Sequence, residues 1–69
     1  GVAEIRLQPG QTLTHQLRAG RGGWLHVAEG DLTLNGVALA AGDGASTEQP
    51  GTLTFAATRR TEAFLFELA

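Results

Sequence analysis

The chain has 69 residues and a formal net charge of −2, and it contains ten glycines, five arginines and no lysine or cysteine. The lack of cysteine excludes disulfides, thiolate nucleophiles and thiolate-bound zinc. The chain carries no basic stripe of the kind that nucleic-acid binders show, and no apolar run nears the ~20 residues that span a bilayer. We therefore expect no nucleic-acid partner, no membrane partner and a cytoplasmic location.

The length predicts a single small domain over residues 1–69. A domain of this size gains only about 3–5 kcal/mol from its core. Because disulfides cannot add stability, we expect the domain to bury further surface against another domain or a second copy of the chain.

Short strands separated by turns are predicted along the whole chain. Apolar and polar residues alternate in several segments, and glycine-rich or proline-containing turns interrupt them every 8–12 residues or so. The predicted strands span residues 4–7, 11–17, 24–29, 31–34, 37–39, 52–57 and 63–68, with turns at 9–10, 19–23, 35–36, 41–44 and 48–51. Asn35-Gly36 is the sharpest signal, because both residues accept the left-handed conformation of a type I′ hairpin turn. The pattern predicts an all-β fold, a small antiparallel barrel or sandwich.

Three stretches carry a resemblance to a known family. They are residues 20–30 (GRGGWLHVAEG), 34–44 (LNGVALAAGDG) and 62–68 (EAFLFEL). They resemble the C-terminal cupin domain of pirin-like proteins, the group that includes bacterial quercetinases. The resemblance implies an RmlC-like jelly roll that lacks the strands a complete cupin has before Glu4. It also implies a parent with two cupin barrels, in which the N-terminal barrel carries the metal and the C-terminal barrel usually does not.

Gly10 and Gly30 occupy the first and last glycine positions of the cupin metal motif, but the implied ligand positions between them hold other residues. Counting from Gly10 places the two histidine positions at Gln16 and Arg18 and the glutamate position at Gly23. Arginine keeps a permanent positive charge and glycine has no side chain, so neither can bind a metal. The second cupin motif places its histidine near Leu53, which cannot bind one either.

A register shifted by one residue gives His15 the first ligand position, but Leu17 then takes the second. Neither register supplies a second ligand. We therefore predict no metal, no cofactor and no catalytic residue. His15 is expected to lie half-buried beside Leu13 and Leu17, and His26 to lie on the outer face.

Arg21, Trp24 and His26 are the candidate interface residues. Arginine can stack on an indole, and an exposed tryptophan often anchors an interface. Phe64 or Phe66 could extend the same apolar face. The alternative is that Trp24 caps one end of the barrel.

The sequence thus predicts a non-catalytic, metal-free cupin domain that packs against another cupin domain or a second copy of itself. One alternative, implied by the resemblance alone, is a part of a metal-dependent dioxygenase similar to quercetin 2,3-dioxygenase. Another is a small-molecule-binding barrel whose interior is lined by Thr14, Gln16 and Arg18, with the arginine receiving an anionic group.

Overall fold

Two antiparallel β-sheets make up the fold in the computed structural model, which describes residues 1–47 and 51–68. The eight strands are β1 (Val2–Leu7), β2 (Thr12–Leu17), β3 (Gly22–Glu29), β4 (Asp31–Leu34), β5 (Val37–Ala40), β6 (Gly44–Thr47), β7 (Gly51–Ala57) and β8 (Thr61–Leu68). The described residues contain no helix, so none that could cross a bilayer. The predicted all-β class is confirmed, as a sandwich rather than a closed barrel.

Sheet A has the strand order β1-β8-β3-β6, and sheet B has the order β2-β7-β4-β5. Apart from the β4–β5 hairpin, consecutive strands alternate between the two sheets, as in a jelly roll. Seven of the eight strands were predicted, with bounds shifted by up to two residues. The predicted turn at 48–51 falls largely outside the described residues.

The missed strand is β6, which pairs with β3. It begins with Gly44 and Ala45, which are residue types depleted in strands, and it shows little apolar alternation, so the local pattern indicates a turn. The segment forms a strand because it hydrogen-bonds to the edge of β3 that β8 leaves unpaired.

The Asn35-Gly36 hairpin is confirmed. Asn35 has φ 48° and Gly36 has φ 83°, the left-handed values of a type I′ turn. Asn35 also ties the turn to β7, since its Oδ1 accepts a hydrogen bond from the Thr54 N–H at 2.8 Å. The Asn35 N–H donates in turn to the Thr54 carbonyl at 2.8 Å.

The core lies between the sheets and takes one face of each main strand. Its members are Ile5, Leu7, Leu17, Leu25, Val27, Leu32, Leu34, Leu53, Phe55, Ala57, Ala63 and Leu65. One polar side chain, Thr61, is fully buried with them. Its hydroxyl accepts a hydrogen bond from the Asp31 N–H (3.1 Å) and lies 2.7 Å from the Asp31 carbonyl, to which it can donate. Thr61 therefore joins the start of β8 to the start of β4.

The expectation that Thr14, Gln16 and Arg18 line the interior is wrong, because all three are exposed. Side chains alternate across a strand, and Leu17 is fully buried, so its neighbours point outward. Burying the charge of Arg18 in an apolar interior would also carry a large desolvation cost. Gln16 instead accepts a surface hydrogen bond from the Thr52 hydroxyl at 2.9 Å.

Candidate functional site

The structure decides the register of the cupin ligand positions. His15 and Leu17 lie on the inner face of β2, and His15 is paired with Leu53 of β7. Leu17 and Leu53 are both buried in the core. The register shifted by one residue is therefore the one that the fold adopts.

Gly23 lies buried on β3, at the implied glutamate position. A Cβ atom placed there would lie 3.0 Å from the Thr47 methyl group and 3.6 Å from Leu65 Cδ1. Apolar atoms thus fill the space beside this residue. Three of the four implied positions offer no metal-binding atom, and only His15 keeps one.

A polar contact that no local sequence pattern indicates lies beside these positions. Nε2 of His15 forms a short hydrogen bond with Oε1 of Glu67, which joins β2 of sheet B to β8 of sheet A. Glu67 extends the inward-facing row of Ala63 and Leu65 and lies opposite Gly23 in the register with β3. The His15 side chain is 33% exposed and the Glu67 side chain 23% exposed, so the pair lies where the core opens to solvent.

The pKa of Glu67 is lowered from its ordinary value. The hydrogen bond from His15 is the main cause, while partial burial acts in the opposite direction. The positive charges of His15, Arg21 and Arg18 lower the pKa further. Two ligands beside two permanent cations form a poor divalent-metal site, which requires three or four ligands. No cluster of three or more metal-binding side chains occurs within residues 1–47 and 51–68.

Glu67→Gln is expected to remove a pH-dependent part of the stability. A carboxylate whose pKa is depressed on folding stabilises the fold above its unfolded pKa, and this contribution is lost as the pH falls through the folded value. The ordinary value is 4.5, so wild type should lose its advantage over Glu67→Gln below about that pH. Urea unfolding of both proteins from pH 7 to pH 3 measures the difference. In a His15→Leu background the same comparison should show a much weaker pH dependence, and an unchanged one would contradict the assigned cause.

The outer face of sheet A carries a second feature, which we call the aromatic face: Val2, Trp24, His26, Phe64, Phe66 and Leu68. The register aligns Val2, Phe66 and Trp24 in one row across β1, β8 and β3. His26 and Phe64 form the adjacent row. Trp24 is 43% exposed, and Val2 and Leu68 are more exposed still. This is a contiguous apolar surface of the kind that marks interaction sites.

Two of the three predicted interface residues, Trp24 and His26, lie on the aromatic face. Arg21 lies half-buried in front of β3, where its charge acts on Glu67. His15 is half-buried and His26 exposed on the outer face, as predicted, and the structure does not bring the two together.

Gly44 of β6 accommodates the Trp24 indole. A Cβ atom at Gly44 would overlap the ring, with Cη2 only 2.9 Å away. The indole therefore lies flat across the neighbouring strand and does not cap the end of the sandwich.

A shallow depression of about 380 Å³ lies on sheet B, with a floor of small side chains such as Ala38, Ala40 and Ala56. Its two carboxylates are already engaged. Asp31 Oδ2 accepts a hydrogen bond from Arg59 at 3.2 Å, and Asp43 Oδ2 accepts one from the Ala40 N–H at 2.9 Å. Both carboxylates of the depression thus already have a hydrogen-bond partner within the chain.

Two solved structures share this fold closely. The crystal structure of YhhW from Escherichia coli has 28% sequence identity and a TM-score of 0.94, and the match covers 99% of this chain and 29% of that one. The crystal structure of the bacterial pirin YhhW in complex with nickel(II), also from Escherichia coli, has 28% identity and a TM-score of 0.93. That match covers 97% of this chain and 29% of the other. The chain thus spans less than a third of the length of these relatives.

No curated protein matches the chain. The family model of the quercetinase C-terminal cupin domain matches residues 2–68, which is nearly the whole chain. The two-sheet topology and the likeness to a bacterial pirin agree with that match. The chain belongs to the quercetinase C-terminal cupin domain family, that is, to the C-terminal cupin domains of pirin-like proteins.

Proposed function

We propose that this chain is a non-catalytic, metal-free cupin domain that packs its aromatic face against another cupin domain. The observation that carries the proposal is the contiguous apolar row of Val2, Phe66 and Trp24 on the outside of sheet A. The core of so small a sandwich contributes only modest stability. Burying this apolar surface against a partner lowers the free energy further. A cytoplasmic location belongs to the same proposal.

Another cupin domain is the favoured occupant of the aromatic face. The solved relatives are more than three times longer than this chain, so most of each relative lies outside the matched region. The row of Val2, Phe66 and Trp24 is apolar, and charged residues border it on one side, where Glu4 lies opposite Phe64 and Arg6 opposite Glu62. An apolar centre with a charged rim is typical of interfaces between domains.

The experiment mixes this chain with a separately produced N-terminal cupin domain of a pirin-like protein, shown to be folded by circular dichroism. Trp24 is the single tryptophan of the chain. If it becomes buried, its fluorescence emission should shift to the blue as the partner is added. Trp24→Phe in this chain should abolish the signal, and Phe66→Ser should weaken binding by about thirtyfold or more, because interface anchors contribute about 2 kcal/mol or more.

No binding at 100-fold molar excess would contradict the packing role. A blue shift that depends only on the concentration of this chain would show that a second copy covers the face instead. Val37→Ser is a suitable control, since Val37 is exposed and lies on sheet B, away from the aromatic face. It should bind like wild type.

Metal binding tests the other half of the proposal. After exchange with excess Ni²⁺ and desalting, we expect well below one equivalent of metal per chain, because only His15 and Glu67 could contribute ligands near the motif positions. One equivalent per chain would overturn the metal-free assignment. His15→Ala would show whether any residual metal depends on that side chain.

A second candidate function is participation in a metal-dependent dioxygenase whose metal lies in another domain. The family description and the nickel(II) complex of a relative favour it. Under this candidate the chain has a supporting role, and turnover of quercetin by the 69-residue chain with added metal should be absent. Turnover by this chain that is lost in His15→Ala would instead assign catalysis to it.

A further inference from the structure

The outer edge of β1 is a second exposed feature of sheet A, separate from the aromatic face. β1 pairs with β8 on one side and has no neighbour among the described strands on the other. Its pairing is unbroken from Val2 to Leu7, without a bulge or proline. Proteins normally protect such an edge with a bulge, a proline or charged side chains, because it is a template for pairing with another strand. The charges on β1 are Glu4 and Arg6, which have opposite signs and can pair with those of a second copy. Among the other edge strands, β5 and β6 are only four residues long, and β2 has six residues like β1 but contains no pair of opposite charges.

The hydrogen bonds at Gly1 show which backbone groups of β1 point outward. The Gly1 amino group donates to the Glu67 carbonyl at 3.2 Å, and the Glu67 N–H donates to the Gly1 carbonyl at 2.9 Å. In an antiparallel pair, residues that exchange both bonds alternate with residues whose groups point away. The N–H and C=O groups of Val2, Glu4 and Arg6 therefore point toward the open edge.

This alternation limits how a second β1 strand could add to the edge. Only outward-pointing residues can face one another, so Glu4 can lie opposite the partner's Val2, Glu4 or Arg6. A register that places identical charges directly opposite one another is destabilising, whereas a register that places opposite charges across the two strands is stabilising. The favoured register places Glu4 opposite the partner's Arg6 and Arg6 opposite the partner's Glu4, with Ile5 on the two-fold axis.

We infer that β1 is a self-association edge, through which two copies of the chain pair antiparallel and join their A sheets into one sheet of eight strands. The pairing ends at Arg6, because the Gln8 N–H already donates to Oε1 of Gln11 at 2.7 Å. Two exchanged pairs give about four hydrogen bonds between the chains. Glu4 and Arg6 form an exposed ion pair within the chain, at 3.1 Å, and can exchange it for the equivalent pairs across the axis. An edge contact this small forms a weak dimer that appears at high protein concentration.

Sedimentation equilibrium from 10 µM to 1 mM protein at low salt tests this edge. The wild type should show a monomer–dimer equilibrium. Glu4→Arg and Arg6→Glu should each weaken dimerisation by on the order of tenfold, because each places like charges opposite one another twice per dimer. The double variant restores opposite charges in the same register, so its dimerisation should return to within about threefold of wild type. Circular dichroism confirms that the variants are folded.

Trp24→Ser separates this edge from the aromatic face and should leave dimerisation unchanged. Three results would overturn the inference. They are a monomer throughout the concentration range, a dimer that is insensitive to the single reversals, or a double variant that is as impaired as the singles. Loss of the dimer in Trp24→Ser would place the contact on the aromatic face and would also overturn it.

Discussion

Phe55→Ala is expected to leave the chain largely unfolded at 25 °C. Phe55 lies in the middle of β7, is 0% exposed and is the largest fully buried side chain among the described residues. Truncating a buried phenylalanine costs about 3–5 kcal/mol through lost transfer energy and the cavity left behind. The core of so small a domain supplies a comparable amount. Far-UV circular dichroism and urea unfolding measure the effect.

Leu13→Ala is the matched control, because Leu13 is the cross-strand neighbour of Phe55 on β2 but is 40% exposed. Its truncation should cost about 1 kcal/mol or less, since much of the side chain already contacts water. Phe55→Leu keeps most of the volume and should remain folded with a loss of about 1.5 kcal/mol. A folded Phe55→Ala with an unchanged urea midpoint would contradict the described core.

Gly30→Ala is expected to destabilise the fold by about 2–4 kcal/mol, through backbone strain and overpacking together. Gly30 has φ 86°, a left-handed value that L side chains rarely adopt. A Cβ atom there would lie 2.5 Å from Oγ1 and 2.8 Å from Cα of Thr61, and it would also overlap the Arg60 carbonyl. The backbone of β8 cannot yield easily, because Thr61 is buried and bonded to Asp31.

Gly36→Ala isolates the backbone part of this effect. Gly36 has nearly the same φ, 83°, but a Cβ atom there would meet nothing within 4 Å. It should therefore cost only about 1 kcal/mol, the usual penalty for alanine in a left-handed conformation. Urea unfolding of both variants gives the steric part as a difference. Equal losses would mean that the close approach of Gly30 to Thr61 is not significant.

The turns and most strands could be predicted from the sequence because their signals are local. Asn35-Gly36 adopts its turn wherever two strands flank it, and the left-handed φ of Gly10 follows from the Pro9-Gly10 pair. That the implied cupin ligand positions hold other residues is likewise read directly from the sequence. Both possible registers of residues 11–17 offered at most one ligand, so the conclusion did not depend on choosing between them.

Which face of β2 points inward could not be settled from the sequence. Leu13, His15 and Leu17 alternate with Thr14 and Gln16 along the strand. The row that contains the leucines is not uniformly apolar, because it also contains His15. Alternation by itself does not show which of the two rows faces the core. Packing against sheet A decides it by burying Leu17, although Leu13 at the other end stays partly exposed.

The His15–Glu67 contact and the aromatic face depend on the tertiary structure. Glu67 lies 52 residues after His15, and no local pattern relates them. They meet because β8 belongs to sheet A and β2 to sheet B, and the inner faces of the two sheets pack against each other. Local backbone preferences thus determined where the chain turns and extends. Only the long-range pairing of strands, which no short segment encodes, decided which side chains share a surface.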